Sequence, residues 1–358
     1  MIFFITFISL LGLIIFHELG HFILAKRFGV KVEEFGIGLP PRIFGKKIGE
    51  TIYSLNLLPF GAFVRLYGEE KEIKDVQSFS GKPIWQRSLI ILGGVISFWI
   101  ISVILLTVVI GLGAPAVISD EEQENLVDPK VQIMAVASNS PAEIAGIKPG
   151  DTIRKFSISN SQFSINKVKE IQELIEKYKG KEVILTIERG KEIFEISLVP
   201  RISPPKGEGA MGVVLKKTAI KFYPWYEVPI QAILTTANLT ITIIKGWIGV
   251  LGNVLQGIPT PGVQLMGPIG IFSLSTQISQ LGIVYFLHFI AIISIHLALF
   301  NILPIPIFDG GKLLFLGFEK LTGKNIDQKK EQNINLFFFI LLIFLMIWVT
   351  IKDIARLF

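Results

Sequence analysis

Four stretches of the chain are apolar almost without a break: residues 1–25, 85–112, 281–303 and 334–352. At 1.5 Å of rise per residue, a helix of about 24 residues reaches roughly 36 Å, enough to cross a hydrocarbon layer with some tilt. The pattern therefore predicts four transmembrane helices. Trp85 and Arg87 open the second run, residue types that sit at the membrane–water boundary. Across residues 26–84 the period changes. Short, partly alternating segments are punctuated by Gly36, Gly38, Pro40 and Pro41, which predicts a hairpin-rich, membrane-associated β region. Residues 113–129 are partly acidic and read as a linker. Residues 130–215 predict an inserted α+β domain, with a strand over 131–136, a helix over VKEIQELIEKY, and strands over EVILTIERG and KEIFEISLVP. Residues 216–280 hold moderately apolar stretches interrupted by Thr235, Thr236, Asn238, Thr240, Thr242 and Lys245. These predict an amphipathic pair skimming the membrane rather than a fifth span. Residues 304–333 supply a short helix over 312–320 and a loop.

Polar residues inside the first span change this picture. His17-Glu18-Leu19-Gly20-His21 stands in otherwise apolar sequence, where ionisable groups cost several kcal/mol unless they are partnered. His17 and His21 lie at i and i+4, so both imidazoles share one helix face, one turn apart. That spacing suits two ligands of one zinc ion, with Glu18 beside them as general base. A third ligand candidate lies far downstream in Asn301-Ile302-Leu303-Pro304-Ile305-Pro306-Ile307-Phe308-Asp309-Gly310-Gly311. Pro304 and Pro306 cannot continue the third apolar helix, so the backbone must open near Leu303. Asp309 then takes an N-cap position at the next helix by residue type. Two His and a carboxylate with an open fourth place make a catalytic rather than a structural zinc set.

These two motifs resemble those of the site-2 protease family of intramembrane zinc metalloproteases, and the resemblance covers nearly the whole chain. The segment SPAEIAGIKPGDTI within 130–215 is similar to a PDZ domain, which points to the RseP-type bacterial branch. The resemblance implies that His17, His21 and Asp309 hold Zn2+, that Glu18 is catalytic, and that Asn301, Pro304 and Pro306 match the conserved Asn and two Pro. It implies further that the β region dips back toward the active site. An edge strand there could take up an unwound substrate helix by strand addition. Asn301 is then a candidate to bind substrate backbone or polarise the scissile carbonyl. The implied partners are single-span membrane proteins, such as anti-sigma factors or remnant signal peptides, cut within their transmembrane segments. Where the family usually carries Gly-Pro and Asn in the second span, this chain has Gly94 and Ser97; small residues there permit close helix packing.

Composition sets bounds on the same reading. With 51% hydrophobic and 18% charged residues and a mean hydropathy of +0.58, the chain reads as a membrane protein. The absence of cysteine removes disulfides and thiolate chemistry. A net charge of +6 fits anionic lipid, and no basic-aromatic surface indicates nucleic acid. Lys26, Arg27, Lys31, Arg42, Lys46 and Lys47 after the first span place residues 26–84 in the cytoplasm, with both termini and the PDZ-like domain outside. The expected location is thus the bacterial inner membrane. The N-terminal run lacks a basic leader and a cleavage site, and is expected to be retained. A peptide ligand of the PDZ-like domain is a further expected partner. The competing class is a non-catalytic membrane scaffold whose PDZ-like domain binds peptides. His288 and His296, eight residues apart in the third span, are read as packing residues.

Overall fold

The computed structural model describes residues 2–357 apart from 70, 72, 114, 122–125, 160, 191, 206, 258–265 and 324–327. In chain order the elements are α1 (Ile2–Arg27), β1 (Val32–Ile48), β2 (Thr51–Leu66), α2 (Ile84–Gly111), β3 (Pro115–Ile118), β4 (Leu126–Val136), α3 (Pro141–Ile144), β5 (Thr152–Ile158), β6 (Ser161–Ser164), α4 (Val168–Lys177), β7 (Val183–Arg189), β8 (Glu192–Leu198), β9 (Val213–Lys221), α5 (Val228–Leu255), α6 (Pro268–Gln280), α7 (Ile283–Ile302), α8 (Asp309–Thr322) and α9 (Gln328–Leu357). They fold as two compact units: Met1–Val108 with Pro229–Ile243 and Met266–Phe358, and Val109–Val228 with Ile244–Leu265.

In the first unit α1, α2 and α7 meet around Leu13, Val95, Phe98, Phe286, Phe289, Ile290 and Ala298. The outward faces of α1, α2 and α9 are apolar too: Phe3, Phe4, Ile100, Ile104, Phe337 and Phe344 are exposed, as they would be against lipid. The β1–β2 pair is not a simple hairpin. Residues 35–37 pair with 62–64 on one side and with 53–55 on the other, while 44–48 pair back onto 51–55. Glu34 pins this doubled sheet from within, accepting hydrogen bonds from Ser54 Oγ (2.6 Å) and Arg42 Nε (3.0 Å). Burial pushes its carboxyl up, but Ser54, Arg42 and Arg65 outweigh this and hold it below the usual range. The sheet starts beside the C-terminal end of α1, and its far turn reaches back along that helix: Phe60 meets Phe7 edge-on at 5.9 Å.

At the other end of α1, α6 packs through a Phe3–Phe272 stack (4.5 Å) and a Thr6–Ser275 hydroxyl pair (2.9 Å). The N-cap of α6 is Gly267, which has no side chain to offer. Asp353, near the C-terminal end of α9, does the capping: its Oδ2 accepts from the amides of Gly267 and Gly270, both at 2.8 Å.

Two expectations are corrected here. The stretch read as a surface pair is one continuous 28-residue helix, α5, so five described helices rather than four are long and apolar enough to cross a membrane. Its threonines hide their polarity: Thr236 Oγ1 donates to Ala232 O (2.8 Å) and Thr240 Oγ1 to Thr236 O (2.7 Å). Thr240 also accepts from Trp99 Nε1 (3.2 Å), at the middle of α2. Asp309 is the first helical residue of α8, not its N-cap, a place taken by Phe308.

The second unit carries a seven-stranded sheet in the order β3-β9-β4-β5-β7-β8, with β6 paired to β5. The expected linker is thus partly strand: β3 and the start of β4 fall within 113–129, and residues 122–125 lie outside the described residues. Its core is fully apolar, with Ile133, Ile153, Phe156, Ile171, Leu185 and Ile187 at 0% exposure. At the Pro149-Gly150-Asp151 turn, the buried Asp151 is gripped by the Arg189 fork (2.6 and 2.7 Å) and by the Lys148 amide (2.8 Å).

Candidate metal centre

The three candidate ligands arrive on two structural devices. His17 and His21 come on consecutive turns of α1. The His17 ring stacks on Phe98 of α2 at 4.7 Å and 16°. His21 Nδ1 lies 3.0 Å from the Ile90 carbonyl, an acceptor only, so the proton sits on Nδ1 and Nε2 keeps its lone pair for a ligand. Asp309 comes from the first turn of α8, just past the opened end of α7, where Leu303 is extended (φ −60°, ψ 140°). The two glycines after it let α8 begin directly on that broken end. A Cβ on Gly310 would lie 2.2 Å from Leu303 O, and one on Gly311 2.3 Å from Ile305 O.

The three converge. His17 Nε2 and His21 Nε2 are 3.3 Å apart, and each is 3.3 Å from Asp309 Oδ2. Atoms tetrahedrally placed at zinc–nitrogen and zinc–oxygen distances of about 2.05 Å are themselves about 3.3 Å apart. Asp309 Oδ2 is buried and accepts no hydrogen bond, an orphan that a cation would satisfy. Donor chemistry, spacing and orphaned atom all fit zinc.

Around this triangle stand residues whose part was not legible in sequence. Gly94 of α2 is cut away to admit His21, since a Cβ there would sit 2.2 Å from His21 Nε2. Its smallness makes room for this candidate ligand as well as for helix packing. Lys312, one turn after Asp309, reaches Glu69 beyond β2 at 2.6 Å. That carboxylate pushes the Lys312 ammonium above its ordinary range, against the opposing effect of burial. Glu18 is half-buried beside His17. Asn301, in the last turn of α7, donates its amide to Leu297 O (2.9 Å). His288 and His296 lie outside the cluster: His296 Nδ1 bonds Ile292 O in its own helix (3.0 Å), and His288 Nε2 is buried without a hydrogen bond.

Known proteins align with the chain over this whole architecture. A protein of Clostridium perfringens described as a zinc metalloprotease is 34% identical over 343 residues, covering 96% of this chain and 95% of its own. The regulator of sigma-W protease RasP of Bacillus subtilis is 28% identical, with 99% and 98% covered. Among solved structures, the PDZ domain of an SdrC-like protein from Listeria monocytogenes is 19% identical and covers 26% of this chain and 92% of its own, at a TM-score of 0.21, too slight a likeness to bear on the fold. The model of peptidase family M50 matches residues 5–345, and the chain belongs to that family.

Proposed function

We propose that the protein is an intramembrane zinc metalloendopeptidase that cuts peptide bonds within transmembrane segments, with His17, His21 and Asp309 as metal ligands and Glu18 as general base. The observation that carries this is the 3.3 Å triangle of two imidazole nitrogens and an orphaned carboxylate oxygen beside Glu18. Zinc held there supplies a Lewis acid and brings water toward neutral acidity. Glu18, on the turn that carries His17, would take a proton from the attacking water and give it to the leaving amine nitrogen. Asn301, in the last turn of α7 with its amide donated to Leu297 O, would offer its Oδ1 to a substrate N–H. A substrate helix keeps its carbonyls within the helix and must open before attack. The β1–β2 sheet, running back along α1 with exposed Ile43, Phe44, Leu55, Leu57 and Phe60, offers the opened strand a sheet edge in the apolar layer.

Helix direction supports four crossings. The C-terminal part of α1, the second turn of α2 and the C-terminal end of α7 meet at the metal centre, so α1 and α7 run the same way and α2 the opposite way. Both α2's exit and α6's start therefore lie on the side of α1's N-terminus. The chain between them, α5 included, therefore makes no net crossing. With the basic 26–84 segment in the cytoplasm, the α+β domain, read as PDZ-like, stands on the outer face, where it filters substrates by ectodomain size or binds their ends. The substrates are single-span membrane proteins of the anti-sigma-factor or remnant-signal-peptide kind.

The test is cleavage of single-span proteins by purified enzyme in liposomes, with and without chelator and with zinc restored. Cleavage that survives complete metal removal would overturn the assignment.

A further inference from the structure

Arg87 sits three residues before Ile90, on the same side of α2, and Ile90 is the residue whose carbonyl fixes His21. Each nitrogen of its guanidinium has a partner: Nε donates to Lys82 O (3.0 Å), and the two terminal nitrogens donate to the Glu319 carboxylate (2.9 and 2.5 Å). Both side chains are largely hidden, at 11% and 17% exposure. Glu319 belongs to α8, on the side of the helix that also carries Lys312 and the buried Leu316. It lies ten residues, about 15 Å of helix, beyond Asp309. One fork therefore joins the helix that orients His21 to the helix that delivers Asp309, at the far end of the latter.

We propose that Arg87 and Glu319 are positioning residues for the metal ligand set, a clamp that sets the distance from Asp309 to the two imidazoles; this rests on the zinc reading above. The leverage is geometric. With Asp309 at the end of a 15 Å arm, about 4° of tilt in α8 displaces its carboxylate by about 1 Å, twice the ~0.5 Å tolerance of a preorganised site. Bidentate Arg–carboxylate geometry fixes orientation as well as distance, which a single Lys contact does not. The Lys312–Glu69 contact (2.6 Å) steadies the near end of α8 but ties it to a loop rather than to α2.

The experiment measures zinc affinity by chelator competition, together with the visible spectrum of the Co2+-substituted protein, in full-length protein in nanodiscs. Glu319→Gln is expected to weaken zinc binding about tenfold, within the 10–100-fold range of outer-shell partners, and to alter the Co2+ bands. Arg87→Lys should fall between that variant and wild type, and the exchange Arg87→Glu with Glu319→Arg should recover most of the loss. Leu106→Ala serves as the reference for general loosening. It empties a fully buried site (1% exposed) at the other end of α2, about 24 Å along the helix from Ile90, and should lower Tm without moving zinc affinity or spectrum. Glu319→Gln with wild-type affinity and spectrum overturns the clamp, as does an equal loss of affinity in Leu106→Ala. A separate result marks failure of the zinc reading itself: His17→Ala binding zinc as tightly as wild type.

Discussion

The two units bury opposite things. In the α+β unit, large apolar side chains such as Phe156 and Ile153 are enclosed, and Asp151 is buried to close a turn on Arg189. In the helical unit, Phe4, Phe337 and Phe344 face outward, and the cluster of His17, His21, Asp309, Arg87–Glu319 and Lys312–Glu69 gathers at one end, with only the Thr6–Ser275 pair and the Asp353 cap of α6 described at the other. Water tolerates a polar residue almost anywhere on a surface, whereas hydrocarbon penalises each one that lacks a partner. Polarity in the helical unit is therefore informative about chemistry. In the α+β unit the same kind of contact only holds a loop.

The largest effect that would sharpen this contrast is expected from Glu18→Gln. Loss of a positioned general base lowers turnover by about 10²–10⁴-fold, while zinc content, counted by atomic emission, stays at the wild-type level. Parallel loss of zinc and activity would instead make Glu18 a ligand. His17→Ala and Asp309→Ala should lose both together.

Next comes Gly94→Ala. The added methyl meets His21 Nε2 at 2.2 Å, so His21 must leave its place. Overpacking of this kind costs about 1–3 kcal/mol, here charged against zinc affinity. Full affinity in this variant, read by chelator competition, would show that the ring has room the geometry denies it.

A smaller effect, confined to the other unit, is expected from Asp151→Ala. Removing one partner of a buried pair costs about 3–5 kcal/mol, reduced to about 2–3 kcal/mol here because Arg189 is 31% exposed. Proteolysis of the α+β unit should accelerate while zinc affinity holds. A drop in zinc affinity would break the division between the units.

The smallest is a pH effect on the β sheet. The Glu34 carboxyl is held below its usual range, so its stabilising contribution is complete above the unfolded value, near pH 4.3, and is lost as pH falls toward the folded one. Amide protection factors in β1 and β2 should fall below about pH 4 in wild type, and Glu34→Gln should flatten that fall. A sheet equally protected across that window in both proteins would contradict the hub role.

How much of this could be read from the chain depended on whether a residue's type carried its purpose. The meeting of His17, His21 and Asp309 was legible because the two His match a helix turn and two prolines announce a break before Asp309. Ile90 was not, since it acts through a carbonyl that every residue has. Arg87–Glu319 was hidden by a separation of 232 positions. That residues 228–255 form one continuous helix was hidden by residues that look polar in a list, of which Thr236 and Thr240 satisfy their hydroxyls on the preceding turn.

The carboxylate that caps α6 also imposes an order of events during synthesis. Asp353 stands 83 positions after the Gly270 amide it serves. At about 5–20 residues per second, the ribosome needs roughly 4–17 s to supply it. Through that interval α6 has left the ribosome with the amides of Gly267 and Gly270 unanswered, and its capped form waits for Asp353. Its contacts with α1 come first and the seal on its first turn comes last.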